Sequence, residues 1–172
     1  YRFLYGEGHR SDDPAAVIEG PKRGRSLPKV LSVKQVDGLL AQAREGVKVE
    51  AKSERLRAAR LNCLLEVLYA TGLRVSELVS LPEAAARRDQ RMLVIRGKGG
   101  RERLVPLNDA ARQTMKDYLA LRDENKVDTP KGHSREHSKW LFPSFGESGH
   151  LTRQHFAREL KALAATAGLK AS

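Results

Sequence analysis

Leu56, Ala59, Cys63, Leu64, Val67 and Leu68 recur at helical spacing and are followed by Gly72. That pattern predicts a helix with one broad apolar face, ended by a glycine C-cap. A face this wide must be covered by other elements, so the helix is expected at the centre of the core. It is not a membrane span. Glu66 interrupts even the most apolar stretch, and no run approaches the roughly 18 apolar residues that crossing a bilayer requires.

The elements around it are legible in turn. Ser32 precedes Val33, Val36, Leu39 and Leu40, which reads as a capped amphipathic helix, and a polar joint at residues 46–53 leads into the central one. Residues 74–81 read as a short helix closed by Pro82. The period then changes. Residues 92–96 and 102–106 are β-rich runs separated by Gly97, Lys98, Gly99, Gly100 and Arg101, which predicts a hairpin with Lys98 at its tip. Asn108 or Asp109 caps a helix through Leu121, and a polar loop is expected over residues 122–139. Trp140, Leu141, Phe142 and Pro143 form an apolar anchor. Thr152 opens a last helix carrying Phe156, Leu160, Leu163 and Ala164, which ends near Gly168. The expected fold class is mainly α with a small antiparallel β-hairpin (α+β).

The chain of 172 residues carries 32 Lys+Arg against 21 Asp+Glu, a net charge of +11. Arginine supplies 20 of those cations, and its planar fork grips phosphate in bidentate fashion, so an acidic or phosphate-bearing partner is expected. With 40% hydrophobic residues the chain can build a core, which excludes general disorder. The single cysteine, Cys63, cannot form an internal disulfide and excludes Cys-rich zinc modules; a reducing cytoplasm fits it best. Residues 1–20 read as the end of a helix followed by a Gly6/Gly8 break, and are too few to form a core alone. Residues 21–31 have the composition of a basic linker, in which Lys22, Arg23 and Arg25 either track a phosphate backbone or simply keep a tether solvated. Residues 32–172 hold everything else. The chain starts without methionine and stops in mid-pattern at Ser172, so both ends are expected to have been cut from something longer.

Two positions invite chemistry. Arg74 stands just after a helix stop, where the amides of the next helix are expected to face an anion, and Glu77 three positions on can hold its guanidinium. An ordinary surface Arg–Glu pair fits the same spacing. Lys98 at a turn is likewise either a functional cation or a solvated one.

Several strings taken in order resemble the tyrosine site-specific recombinases, and within them the Xer branch. They are the ten residues from Tyr69 to Leu78, the hairpin from Gly97 to Leu107, Leu141-Phe142-Pro143-Ser144, and Leu151-Thr152-Arg153-Gln154. The resemblance implies a partial recombinase catalytic domain over residues 32–172, preceded by a basic linker and by the tail of a helical core-binding domain. It implies duplex DNA as substrate, cleaved through a 3′-phosphotyrosine, with sister recombinase subunits in a tetramer on DNA and a parent that resolves chromosome dimers. No metal or other cofactor is implied, because the phosphotyrosyl link conserves the phosphodiester energy. Arg74 would clamp the phosphate, Lys98 would protonate the leaving oxygen, and Glu77 would buttress Arg74. Lys22, Arg23, Arg25, Arg101, Arg153 and Gln154 would contact DNA.

The family's HxxR box and nucleophilic tyrosine are expected beyond the last helix. His150-Leu151-Thr152-Arg153 spells HxxR but precedes that helix and reads as coincidence, and Tyr1, Tyr5, Tyr69 and Tyr118 all lie before the nucleophile's place. This stretch alone is therefore expected to bind DNA without cleaving it. The alternatives are a phage or integron integrase and a non-catalytic DNA-binding protein on the same scaffold. RNA binding is disfavoured by the lack of aromatic RNP strings or a KH loop.

Overall fold

In the computed structural model, the described residues are 1–18, 30–88, 91–97, 100–127 and 138–169. The chain divides into two compact units, Tyr1–Val30 and Leu31–Ser172. In the first, a short helix α1 (Arg2–Gly6) leads to a turn where the Arg10 guanidinium lies over the Tyr1 ring, 5.2 Å from its centroid.

The second unit is organised around α3 (Lys52–Thr71), as the sequence predicts. Ala59, Cys63, Leu64, Leu65 and Val67 are buried on α3, and α2 (Val33–Gly46), α4 (Val75–Val79), α6 (Asp109–Val127) and α7 (Arg153–Thr166) all pack against it. A helix wrapped on several sides needs apolar residues beyond one stripe, which explains its breadth. One buried side chain on it is charged. Glu66 is 3% exposed and accepts from Arg44 of α2, at 2.9 Å from Nε and 2.5 Å from Nη2, so the charge is paired where burial would otherwise forbid it. Gly72 ends the helix in the left-handed region, φ 61°, and donates its N–H to the Leu68 carbonyl at 2.9 Å.

The helix starts obey their caps. Ser32 Oγ accepts from Gln35 N–H while Gln35 Oε1 accepts from Ser32 N–H, a reciprocal box that fixes α2. Asn108, rather than Asp109, caps α6 by accepting the Ala111 N–H at 2.8 Å. Thr152 Oγ1 accepts from His155 N–H and opens α7, whose Phe156 is buried. Strands β1 (Met92–Arg96) and β2 (Glu102–Pro106) pair antiparallel, with Ile95 opposite Arg103 and Leu93 opposite Val105.

Two features depart from the expectations. A one-turn helix α5 (Ala84–Arg87) follows Pro82, and α6 continues past Leu121 to Val127, where a polar loop was expected from residue 122. The cause of the extension is Arg122, which is 4% exposed. Its Nη1 donates to the carbonyls of Trp140 and Leu141 at 3.2 and 3.0 Å, and its Nη2 donates to Glu83. A guanidinium committed to these partners holds the helix turn that carries it, so a polar residue became part of the interior. The remainder of that expected loop, residues 128–137, lies outside the described residues. The apolar anchor is buried as expected: Leu141 and Phe142 are both 0% exposed, and Phe142 stacks on Tyr118 at 5.6 Å between centroids.

Candidate nucleic-acid interface

The helix stop at Gly72 sends the chain through Leu73, which is buried, and brings Arg74 to the start of α4 with its side chain 74% exposed. Glu77, one turn on, is only 10% exposed at its side chain. Its Oε2 accepts the Arg74 backbone N–H at 2.9 Å, and its Oε1 accepts from Arg74 Nη1 at 3.2 Å. The expected pairing of Arg74 and Glu77 is present. Of the amides at this helix start, the Arg74 N–H is donated to the Glu77 carboxylate and the Glu77 N–H to the Arg74 carbonyl at 2.9 Å, and α4 spans five residues.

A third member was absent from the sequence reading. Arg103 of β2 reaches the same carboxylate in bidentate fashion, Nη1 to Oε1 at 2.9 Å and Nη2 to Oε2 at 2.7 Å. The hydrogen bonds from Arg103, aided by those from Arg74 and opposed by partial burial, lower the Glu77 carboxyl from an ordinary 4.5 to about 2. The signal was available in the strand alternation. Arg103 shares its face of the hairpin with Val105 and lies opposite buried Ile95, and a cation on the core-facing parity needs an anion.

Arg74, Ser76, Glu77 and Ser80 form one wall of an open cleft of about 760 Å³. Arg96 and Gly97 at the end of β1 line it as well, and so does Trp140. Ser80 Oγ is turned back to the Ser76 carbonyl at 2.8 Å, and among the described residues the charged groups of the lining are Arg74, Glu77 and Arg96. Trp140 was expected as a plain apolar anchor. It is held from behind by an edge-on His150 ring at 5.0 Å, while Lys139 Nζ lies 4.8 Å from its ring centroid. His150 itself donates from Nδ1 to the Leu151 carbonyl at 2.8 Å.

The other sequence-derived candidates divide by position. Arg101 is exposed beside the turn, and its carbonyl accepts the Gly97 N–H at 2.7 Å. Arg153 and Gln154 are exposed on the first turn of α7, and neither lines the cleft. Lys98, Lys22, Arg23 and Arg25 lie outside the described residues. Tyr118 is 2% exposed in the core, and Tyr69 stands near the end of α3. Among the described residues no group of three His, Cys, Asp or Glu side chains is placed to hold a metal ion, and no helix is long and apolar enough to cross a membrane.

A sequence profile of the Phage integrase family matches residues 29–172. The chain belongs to the phage integrase family. Among its members, Tyrosine recombinase XerD of Bradyrhizobium diazoefficiens is 65% identical over 173 residues, which cover 99% of this chain and 54% of that protein. The XerD of Brucella suis is 52% identical over 175 residues, 100% of this chain and 54% of that one. The chain thus spans about half the length of the curated relatives it matches. Solved family structures share the fold. A XerH site-specific recombinase bound to palindromic difH substrate superposes with a TM-score of 0.64 at 21% identity, over 89% of this chain and 40% of that one. The integrase of mycobacterium phage Brujita gives 0.57 at 24%, over 100% and 49%. The mainly helical architecture with one two-stranded sheet is therefore that of the integrase family's recombinases, and the Xer resemblance read from the arginine and hairpin strings agrees with the XerD relatives.

Proposed function

We propose that this chain supplies the arginine- and lysine-bearing part of the catalytic domain of a XerD-type recombinase, one that breaks and rejoins duplex DNA at a specific site. The observation that carries the reading is Arg74: its guanidinium is held from behind by Glu77 yet three-quarters exposed at an open cleft, in a chain of net charge +11. A guanidinium so placed can receive two non-bridging phosphate oxygens and stabilise the charge that grows on them as the phosphorus becomes five-coordinate. A tyrosine hydroxyl attacks the phosphorus and releases its proton to solvent, the bond to the 5′ oxygen breaks, and Lys98 delivers the proton that the departing oxygen takes up and is then reprotonated from solvent. One phosphodiester is exchanged for one phosphotyrosyl ester, so no external energy source enters.

The nucleophile is not among Tyr1, Tyr5, Tyr69 or Tyr118, and by this reading it belongs with the second arginine to the remainder of a longer recombinase. Residues 1–20 then close a core-binding domain, and the basic residues Lys22, Arg23 and Arg25 follow the DNA backbone between the two domains. Arg101, Arg153 and Gln154 add contacts to the duplex. The whole protein acts in the cytoplasm with sister recombinase subunits as a tetramer on DNA, and its product is a resolved chromosome dimer.

The test uses the whole recombinase on a nicked suicide substrate, with DNA binding measured in parallel. Arg74→Ala and Lys98→Ala should each lower strand cleavage by about 10²–10³-fold, the usual loss when one group stabilising the transition state is removed, and leave binding within a few-fold. Equal losses of cleavage and binding would reduce both residues to simple DNA contacts and favour the non-catalytic scaffold. Binding by the 172-residue chain should itself fall linearly in log–log with added salt.

A further inference from the structure

Arg74 and Arg103 approach one carboxylate, and they do so unequally. Arg103 makes two short contacts, 2.9 and 2.7 Å, one to each Glu77 oxygen, whereas the Arg74 side chain makes a single contact of 3.2 Å. The planar fork of Arg103 therefore sets the plane of the carboxylate, and Arg74 follows it. Arg103 is itself fixed by its strand: it lies opposite Ile95, and its Nη1 sits beside Gly97, where an added Cβ would be 3.7 Å away. The clasp thus joins β2 to α4, which are distant in sequence.

Its chemical consequence follows from counting donors. A carboxylate facing Arg74 alone would turn to meet it in a two-pronged pair, which is the preferred geometry of these groups, and would occupy the donors that a phosphate needs. With both oxygens engaged by Arg103, Glu77 can restrain Arg74 but not neutralise it. We propose that Arg103 is a positioning residue of the cleavage site: by occupying Glu77 it keeps the Arg74 guanidinium oriented and available to the scissile phosphate. This rests on the assignment of Arg74 as a phosphate clamp and adds to it the group that keeps the clamp open.

The experiment compares Arg103→Met, Glu77→Gln and the double variant in the whole recombinase, reading single-turnover cleavage of a suicide substrate, DNA affinity and melting temperature. Arg103→Met should slow cleavage by about 10–100-fold, a loss in the range set by misplacing a catalytic group, with affinity within about threefold. The double variant should cleave no more slowly than Glu77→Gln alone, since a neutral amide no longer competes for Arg74. Losses that multiply in the double variant, or an affinity loss as large as the cleavage loss, overturn the proposal. Should Arg103→Met not fold, Arg103→Lys carries the test: it keeps the charge but loses the fork, and wild-type cleavage by it is the refuting result. Arg74→Ala separates the two levels. If it cleaves normally, the clamp assignment fails; if it is impaired while Arg103→Met or Arg103→Lys cleaves at the wild-type rate, the role of Arg103 alone fails.

Discussion

Replacing Glu77 by Gln removes one charge from a site with two guanidiniums and leaves its shape. The folded carboxyl titrates at about 2 against an ordinary 4.5. Because the folded value is the depressed one, its stabilisation is complete above the unfolded value and disappears as pH falls through the folded one, between about 4.5 and 2. A difference of about 2.5 pH units corresponds to about 3.4 kcal/mol as an upper bound. Water reaches both partners, Arg74 at 74% and Arg103 at 41% side-chain exposure, and screening reduces the contribution to about 1–2 kcal/mol. At pH 7 the Gln variant should melt roughly 2–8 °C lower. Urea unfolding of both proteins at a series of pH values should show that gap closing as the wild type is acidified, with other carboxylates cancelling in the comparison. A gap that stays constant from pH 7 to pH 2.5, or none at pH 7, would show that the charge on Glu77 is not what joins α4 to β2.

Three further expectations concern the scaffold. Phe142→Ala, at a site with no exposure and a ring stacked on Tyr118, should cost about 3–5 kcal/mol in urea denaturation. Arg122→Met strands the Trp140 and Leu141 carbonyls and leaves Glu83 with Arg87, and should cost about 2–4 kcal/mol by the same assay, somewhat less than loss of a wholly unshared buried partner. Gly72→Ala meets no atom within 4 Å at φ 61°, so its penalty is backbone strain alone, about 1–2 kcal/mol by thermal melting.

What was legible depended on range. The Ser32 and Thr152 caps, the Gly72 stop, the two strands and the Arg74–Glu77 pair are set by residues within a few positions of one another, where spacing decides geometry. The Arg122 extension and the Arg103 clasp were not read, because each is decided by a partner far along the chain: Glu83, Leu141 and Trp140 for one, Glu77 for the other. Local polarity places Arg122 in a loop, and only the tertiary carbonyls make a helix the better solution. Trp140 shows the same limit from the apolar side. Its sequence neighbours Leu141 and Phe142 are fully buried, but a bridge to Pro82 brings it to the edge of the cleft.

Glu77 and Glu83 solve the same problem for opposite ends. Each is a carboxylate shared by two arginines, Arg74 and Arg103 in one case, Arg87 and Arg122 in the other. At Glu83, burial pushes the carboxyl up, and the hydrogen bonds from Arg87 and Arg122 outweigh it and leave it lowered. There the guanidinium that matters, Arg122, is 5% exposed and donates from Nη1 to two backbone carbonyls, so its charge is consumed by the fold. At Glu77 the corresponding guanidinium, Arg74, faces the cleft and has Glu77 as its one side-chain partner among the described residues. At Glu77 the sharing leaves a net positive charge among the described residues, whereas at Glu83 it is balanced, because Asp123 also accepts from Arg87 at 3.0 Å. The balanced and largely buried cluster is a structural tie, whereas the uncompensated Arg74 guanidinium meets solvent in a cleft that Arg96 also lines, which is the arrangement the proposed phosphate clamp requires.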